Sequence, residues 1–313
     1  MTGRAARLLG PVVAGALLLA AAACSPSGGH DDSRSAEPSR SASAAPRAPA
    51  SAPPLPPPVS RRPSPRTSPP TSAGSPAPAP GGRWRPRPGL AWQWQLSGTV
   101  DTTVDVPVYD IDGFENGAGV VARLHGDGRK VVCYVNAGAW ESFRPDAGDF
   151  PAALLGRGDG WDGERWLDIR ALDRLRPLMA SRLDMCRAKG FDAVEPDLLD
   201  GYAETTGFPL TAADQLAYNR MIAGLAHDRG LAVGLKNDLG QVPELVGDFD
   251  FSVDEQCAQY DECGRLAPFI AAGKPVFHVE YELEPSRFCP AAKKAGFSSM
   301  RKHLSLDAWR DPC

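Results

Sequence analysis

The sequence predicts an α/β fold of the (β/α)8 barrel type, and three observations carry the prediction. Eight short apolar runs recur after residue 91, over residues 92–96, 104–109, 130–136, 166–169, 191–194, 231–235, 249–253 and 275–279. Runs of this kind mark strands buried on both faces, as in parallel sheets. Amphipathic stretches such as Leu172–Lys189 and Ala212–Arg229 separate several of them and end at Gly190 and Gly230, as helices with a glycine C-cap do. Polar residues collect at the C-terminal ends of the runs, where a barrel carries its function. An open doubly wound sheet fits less well, because no Gly-rich nucleotide loop follows the first run.

The first residues are expected to be a targeting segment. Arg4 and Arg7 precede an apolar stretch, Leu8 to Ala22, too short and too rich in alanine to span a membrane, and Ala21-Ala-Ala-Cys24 offers a small-residue cleavage site. Residues 1–23 are expected to be a signal peptide, with Cys24 lipid-modified on the pattern of a bacterial lipobox. Residues 24–83 are Pro, Ser and Ala with scattered Arg. So few large apolar side chains cannot offset the entropy of ordering, so a disordered tether is expected. The folded domain is then 84–313, placed outside the cell, on the membrane through its lipid or else secreted.

Charge divides the same two parts. Residues 1–83 hold 9 Lys+Arg against 3 Asp+Glu, a net of +6, and the remaining 230 hold 25 against 35, a net of −10. An acidic domain argues against nucleic acid and suits a cationic partner. Apart from Cys24, six cysteines remain, an even set suited to an oxidising compartment. The pairing expected is Cys133–Cys186 from a strand to a neighbouring helix, Cys257–Cys263 across one loop, and Cys289–Cys313 at the C-terminus. No histidine stands at zinc-ligand spacing near them in the sequence, and no metal or cofactor is expected.

The stretch Gly190-Phe-Asp-Ala-Val-Glu-Pro-Asp-Leu-Leu-Asp-Gly-Tyr202 organises the site. Its apolar half reads as a buried strand, with Pro196 expected to mark where the strand gives way to a loop. Glu195 and Asp197 point the same way, Asp197 nearer the mouth. Acids at the end of a buried strand cost several kcal/mol unless paired or used. The other run ends add Asp110 and Asp112, Tyr134 and Asn136, Asp168, Lys236 and Asn237, Glu255, and Glu280 and Tyr281; Asp200 follows Asp197. Any one of these could be a helix cap, a neutralising ion or a core residue. Together they form the ring of acids, amides and aromatic residues that a sugar site needs. Glycoside hydrolysis requires two carboxyl groups, one to donate a proton and one to attack or to activate water. Asp197 and Glu255 are the pair that fits, with Lys236 expected to keep Asp197 ionised and Glu195 and Glu280 as weaker candidates. His227 is expected to be structural, and His278, in phase with Glu280, to line the barrel interior. A Gly-x-Ser-x-Gly elbow and a His-Glu-x-x-His motif are both missing from the sequence.

Several ordered motifs carry a resemblance. Cys133-Tyr-Val-Asn-Ala-Gly138, Trp161-x-Gly-Glu-Arg-Trp-Leu-Asp-Ile-Arg170, Gly190-Phe-Asp-Ala-Val-Glu-Pro-Asp197, Tyr218-Asn219, Gly234-Leu-Lys-Asn237, Asp254-Glu-Gln-Cys257 and Val279-Glu-Tyr281 together resemble glycoside hydrolase family 114, the endo-α-1,4-polygalactosaminidases. The resemblance covers essentially everything after the tether. It implies a metal-free barrel that cleaves α-1,4-linked galactosamine polymers or galactosaminogalactan, with the catalytic Asp at Asp197 and the catalytic Glu at Glu255. Leu198 departs from it, since the family usually has Asn there, which bears on substrate preference. The expected partner is a cationic amino-sugar polysaccharide, met by a monomer that touches the membrane only through its lipid. The alternative is a non-catalytic lipoprotein that holds such a polysaccharide in a barrel groove.

Overall fold

The computed structural model describes residues 82–313; the expected signal peptide, Cys24 and all but the last two residues of the expected tether lie outside the described residues. In chain order the elements are β1 (Trp92–Gln95), β2 (Val108–Asp112), α1 (Ala118–Gly126), β3 (Lys130–Asn136), β4 (Ala139–Glu141), β5 (Glu164–Trp166), α2 (Leu172–Lys189) and β6 (Ala193–Asp197). There follow α3 (Ala212–Asp228), β7 (Ala232–Lys236), α4 (Val242–Leu245), β8 (Phe251–Glu255), α5 (Ala267–Ala271), β9 (Val276–Glu280), α6 (Pro285–Ala295), β10 (Ser298–Arg301) and β11 (Asp311–Pro312).

Nine strands form one sheet in the order β1-β2-β3-β6-β7-β8-β9-β10-β11, parallel as far as β10. β11 pairs antiparallel with β10. The sheet curls on itself, so that one apolar cluster takes at least one side chain from each of the eight parallel strands, from Trp92 on β1 to Met300 on β10. The Trp92 indole donates to the Ser298 carbonyl at 3.0 Å, which ties the first parallel strand to the last. Alternation explains the two layers: Ala193 of β6 faces this interior, whereas Val194 joins the larger core between sheet and helices. Gly234 keeps the interior open for Phe251, whose ring would lie 2.4 Å from a Cβ at that position.

The fold is the expected barrel, with membership corrected at two places. Residues 166–169 are not a barrel strand: β5 pairs antiparallel with β4 in a separate two-stranded hairpin beside the barrel mouth. The eighth parallel strand is β10, whose Ser298, Ser299 and Arg301 leave too little apolar signal to stand out. Most strands also run one to three residues further than their apolar cores. Pro196 lies inside β6, not beyond it, opposite Val135 of β3. The ladder from β6 to β7 stops at Val194, so the missing N–H of Pro196 breaks no bond on that side.

Helix α2 matches the predicted span and ends at Gly190 in the left-handed conformation, φ 93°. Helix α3 opens on a capping box in which Thr211 accepts from the Asp214 N–H and Asp214 accepts from the Thr211 N–H. Three disulfides join the expected partners, Cys133–Cys186, Cys257–Cys263 and Cys289–Cys313, as in an exported protein. Among the described residues, no helix is long and apolar enough to cross a membrane.

Candidate active site

Three adjacent strands, β6, β7 and β8, end in Asp197, Lys236 and Glu255. Each residue shares the inward parity of its strand, which brings the three side chains together at the mouth. Lys236 Nζ donates to Asp197 Oδ1 at 2.9 Å and to Glu255 Oε2 at 2.6 Å. The two bonded oxygens can therefore be no further apart than those distances added together. Tyr134 on β3 donates to the other Asp197 oxygen at 2.8 Å, and Tyr281, just past β9, donates to Glu255 Oε1. The backbone N–H of Leu198 closes on Asp197 Oδ1 at 2.8 Å, and that of Glu255 is fixed by Asn237 Oδ1 at 3.1 Å.

These contacts decide the charge states. Burial works to raise the Asp197 pKa, but the Lys236 charge and hydrogen bonds from Lys236, Tyr134 and Leu198 outweigh it and hold the carboxyl below its ordinary range. Burial would likewise strip Lys236 of its proton, and the charges of Asp197 and Glu255 outweigh that, holding its pKa well above the usual lysine value. Tyr134 and Tyr281 are pushed up by burial and by the adjacent carboxylates, so both remain hydrogen-bond donors. Beneath this layer, Glu195 is raised well above its ordinary value by burial and by Asp110, while burial pushes Asp110 up to about 7. The carboxyl pair of Asp110 and Glu195 is thus a floor that retains protons.

The cleft above holds about 440 Å³. Of the sequence-derived candidates, Asp112, Tyr134, Asn136, Asp197, Lys236, Asn237, Glu255 and Tyr281 line it. Asp110 and Glu195 lie under its floor, 1% and 0% exposed, and do not line it. Asp168 is drawn away into an ion pair with Arg170 at 2.7 Å, because residues 166–169 are not a barrel strand. Asp200 precedes a short turn of 3₁₀ helix next to the site, outside the cleft lining, and burial pushes it up to about 6. Glu280 and His278 face outward, not into the barrel. The His278 ring bonds Ser299 Oγ at 2.9 Å and Glu280 Oε1 at 2.8 Å against α6, and Glu280 also accepts from the Ala258 N–H. The inward residues of β9 are Phe277 and Val279, so His278 and Glu280 take the opposite parity. His227 pairs with Asp250 at 2.9 Å, away from the mouth.

Several lining residues escaped the sequence reading. Trp94 on β1 sets its ring 5.6 Å from Lys236 Nζ. The β4–β5 hairpin brings Glu141, Phe143, Arg144, Trp161 and Glu164. Arg144 is buried and doubly bonded to Asp112 at 2.7 and 3.1 Å, and also bonds Glu141 at 2.9 Å. The one available signal was Trp161-x-Gly-Glu164, a motif with no strand of its own to place it. His278 does come close to Cys257 and Cys263 in space, within metal-ligand range, but both sulfurs are in a disulfide and offer no thiolate.

A barrel with two carboxyl groups bridged across its mouth and an aromatic rim belongs to the class of TIM-barrel glycoside hydrolases. The sequence model described as Glycoside-hydrolase family GH114 matches residues 73–313, and the chain belongs to that family. It is similar to the crystal structure of Aspergillus fumigatus Ega3 in complex with galactosamine, at 40% identity and a TM-score of 0.70, covering 74% of this chain and 98% of that one. The glycoside hydrolase domain of PelA from Pseudomonas aeruginosa shares the fold, with 17% identity, a TM-score of 0.56 and coverage of 71% and 98%. An uncharacterized protein of Deinococcus radiodurans is 30% identical over 239 residues, 65% of this chain and 76% of that one.

Proposed function

We propose that the domain is an endo-acting hydrolase of α-1,4-linked galactosamine polysaccharide, working with retention through Asp197 as nucleophile and Glu255 as general acid/base. The observation that carries the reading is the single Lys236 ammonium shared by the two carboxylates. The shared ammonium caps the separation at the sum of its two bonds, which supports the about 5–5.5 Å spacing of retaining enzymes over the about 6.5–9.5 Å that leaves room for water in inverting ones. Asp197, ionised and fixed by Lys236 and Tyr134, attacks the anomeric carbon while Glu255 protonates the departing glycosidic oxygen. A β-linked glycosyl-enzyme results. Glu255, now a base, takes a proton from water, which attacks the same carbon and frees Asp197 with the α configuration restored. The galactosamine held by Ega3 supports the substrate class, and so does the net acidity of the domain. The location that goes with this reading is extracellular, with Cys24 as a lipid anchor.

The test is incubation of the purified protein with partially de-N-acetylated galactosaminogalactan and, separately, with chitosan. Soluble fragments from the first and none from the second are expected. Asp197→Asn and Glu255→Gln should each remain folded and lose turnover by orders of magnitude. Azide should rescue Glu255→Ala as an α-glycosyl azide and Asp197→Ala as the β-azide. A folded Asp197→Asn protein with near wild-type turnover rules the assignment out.

A further inference from the structure

The β4–β5 hairpin gives the cleft a wall that the barrel strands do not explain. Six carboxylates line the cleft, Asp112, Glu115, Glu141, Glu164, Asp197 and Glu255, against two cations, Arg144 and Lys236. Both cations are already engaged. Lys236 is held between Asp197 and Glu255, and Arg144 between Asp112 and Glu141. Glu164, at the start of β5, is left with one amide donor, Asn136 Nδ2 at 3.2 Å. Asn136 in turn pairs in register with Asp197 across β3 and β6, so Glu164 is joined through Asn136 to the strand ends that carry Asp197.

A second feature of the same wall points to a missing ligand. Glu141 is only 2% exposed; Arg144 bonds its Oε1 at 2.9 Å, yet its Oε2 has no hydrogen-bond donor and lies 3.8 Å from Arg182 Nη1. Beside the two acids, Trp161 is 60% exposed and Phe143 59%, on facing sides of the hairpin tied by the Ser142 N–H to the Gly163 carbonyl at 2.9 Å. Large rings left exposed at a cleft are placed to pack against a sugar face. We propose that Glu164 and Glu141 form an ammonium-recognising subsite, which takes the protonated amine of an amino-sugar unit next to the one held at Asp197 while Trp161 packs on its ring. The inference rests on the reading of this cleft as an amino-polysaccharide site.

The electrostatics agree with the geometry. Glu164 is pushed up to about 8 by burial, by the charges of Asp159, Glu141 and Asp197 and by a hydrogen bond with Asp159; Glu141 and Asp197 have cations beside them, whereas among the described residues no ion pair reaches Glu164 itself. An ammonium arriving beside Glu164 supplies the missing charge and displaces the proton. An N-acetylated unit brings an amide with no charge and cannot do so. The hairpin thereby selects for a free amine at one defined position.

The experiment is calorimetric binding of a fully de-N-acetylated α-1,4-galactosamine oligomer at pH 7, in two buffers of different ionisation enthalpy, with hydrolysis followed alongside. Wild type should release close to one proton on binding, and Glu164→Gln should release none and bind about tenfold or more weakly, as loss of a charge-assisted contact predicts. The ratio of kcat/KM for de-N-acetylated over N-acetylated oligomer should fall by a similar factor. Trp161→Ala should weaken both oligomers alike. Unchanged proton release and an unchanged ratio in Glu164→Gln would overturn the subsite. Glu164-dependent binding with no hydrolysis by the wild type would leave the subsite standing and remove the hydrolase reading.

Discussion

Replacing Lys236 by Met isolates what the bridging ammonium does. Its Nζ lies 2.9 Å from Asp197 and 2.6 Å from Glu255, with 3% of the lysine side chain exposed. At such distances an effective dielectric near 20 gives an attraction of about 6 kcal/mol per pair, an upper figure. Measured shifts for a carboxylate beside a cation are about 1–3 pKa units, or roughly 1.4–4 kcal/mol. Without the ammonium, two close carboxylates in a partly closed cleft share a proton, and Asp197 loses its ionised form at low pH. The acidic limb of kcat/KM against pH, measured on de-N-acetylated galactosaminogalactan, should therefore move up by about two units. Lys236→Arg, which keeps the charge, should leave the limb nearer the wild-type position. Melting and near-ultraviolet circular dichroism check that each variant is folded. A folded Lys236→Met protein whose acidic limb coincides with wild type would refute the argument that Lys236 sets the charge of Asp197.

Three further outcomes follow from local features of the fold. Leu198 sits in the left-handed region at φ 59°, and Leu198→Asn should stabilise the fold by about 1 kcal/mol, read as a higher Tm; an unchanged or lower Tm contradicts it. Asp238 is pushed up to about 8 by burial and by the Asp200 charge, and is 3% exposed. A raised carboxyl contributes stability below about pH 4 that is lost as pH rises towards 8, so Asp238→Asn should flatten the fall in Tm over that window and gain about 2 kcal/mol at pH 8. Removing the Cys289–Cys313 bond by Cys289→Ala with Cys313→Ala should lower stability by about 2–5 kcal/mol in denaturant titration, and a loss under about 0.5 kcal/mol would show that the C-terminal loop is held without it.

The barrel was legible because its buried strands are apolar on both faces, and because Gly190 and Gly230 announce the ends of the two long helices. Where the signal failed, one physical cause recurs. Strand pairing is a property of two strands, and β10 and the β4–β5 hairpin owe their state to partners that local composition does not name. Asp168 was misplaced by the same route, since Leu167 and Ile169 read as a strand core but pack in a loop beside the hairpin. Parity was the most transferable rule. It brought Asp197, Lys236 and Glu255 to one mouth and put Glu195 one layer down. It misled on β9, for His278 and Glu280 alike, where the strand's other parity, Phe277 and Val279, is the one that faces inward. The β4–β5 wall could not be found from periodicity at all, because Trp161 and Glu164 reach the cleft through a turn.

One local geometry recurs at the three charged strand ends. Leu198 follows Asp197, Asn237 follows Lys236 and Gln256 follows Glu255, and all three have positive φ, 59°, 50° and 61°. A left-handed residue directly after a strand turns the chain sharply away from the mouth, so the preceding side chain stays at the rim with its backbone still in the ladder. Only Asn suits that conformation; Leu and Gln bear strain of roughly 1–2 kcal/mol each. The turn after Asp197 also has no room to relax, because a Cβ on Gly138 would lie 1.8 Å from the Leu198 carbonyl oxygen, and the Ala137 and Gly138 N–H groups both bind the Asp197 carbonyl, at 3.1 and 3.0 Å. The loop after β3 therefore clamps the loop after β6. Disturbing Gly138 should move Asp197 without touching it, and Gly138→Ala is expected to lower kcat far more than it alters binding of the same oligomer to the β4–β5 wall. Equal losses in kcat and in affinity would show instead that the whole mouth had shifted as one.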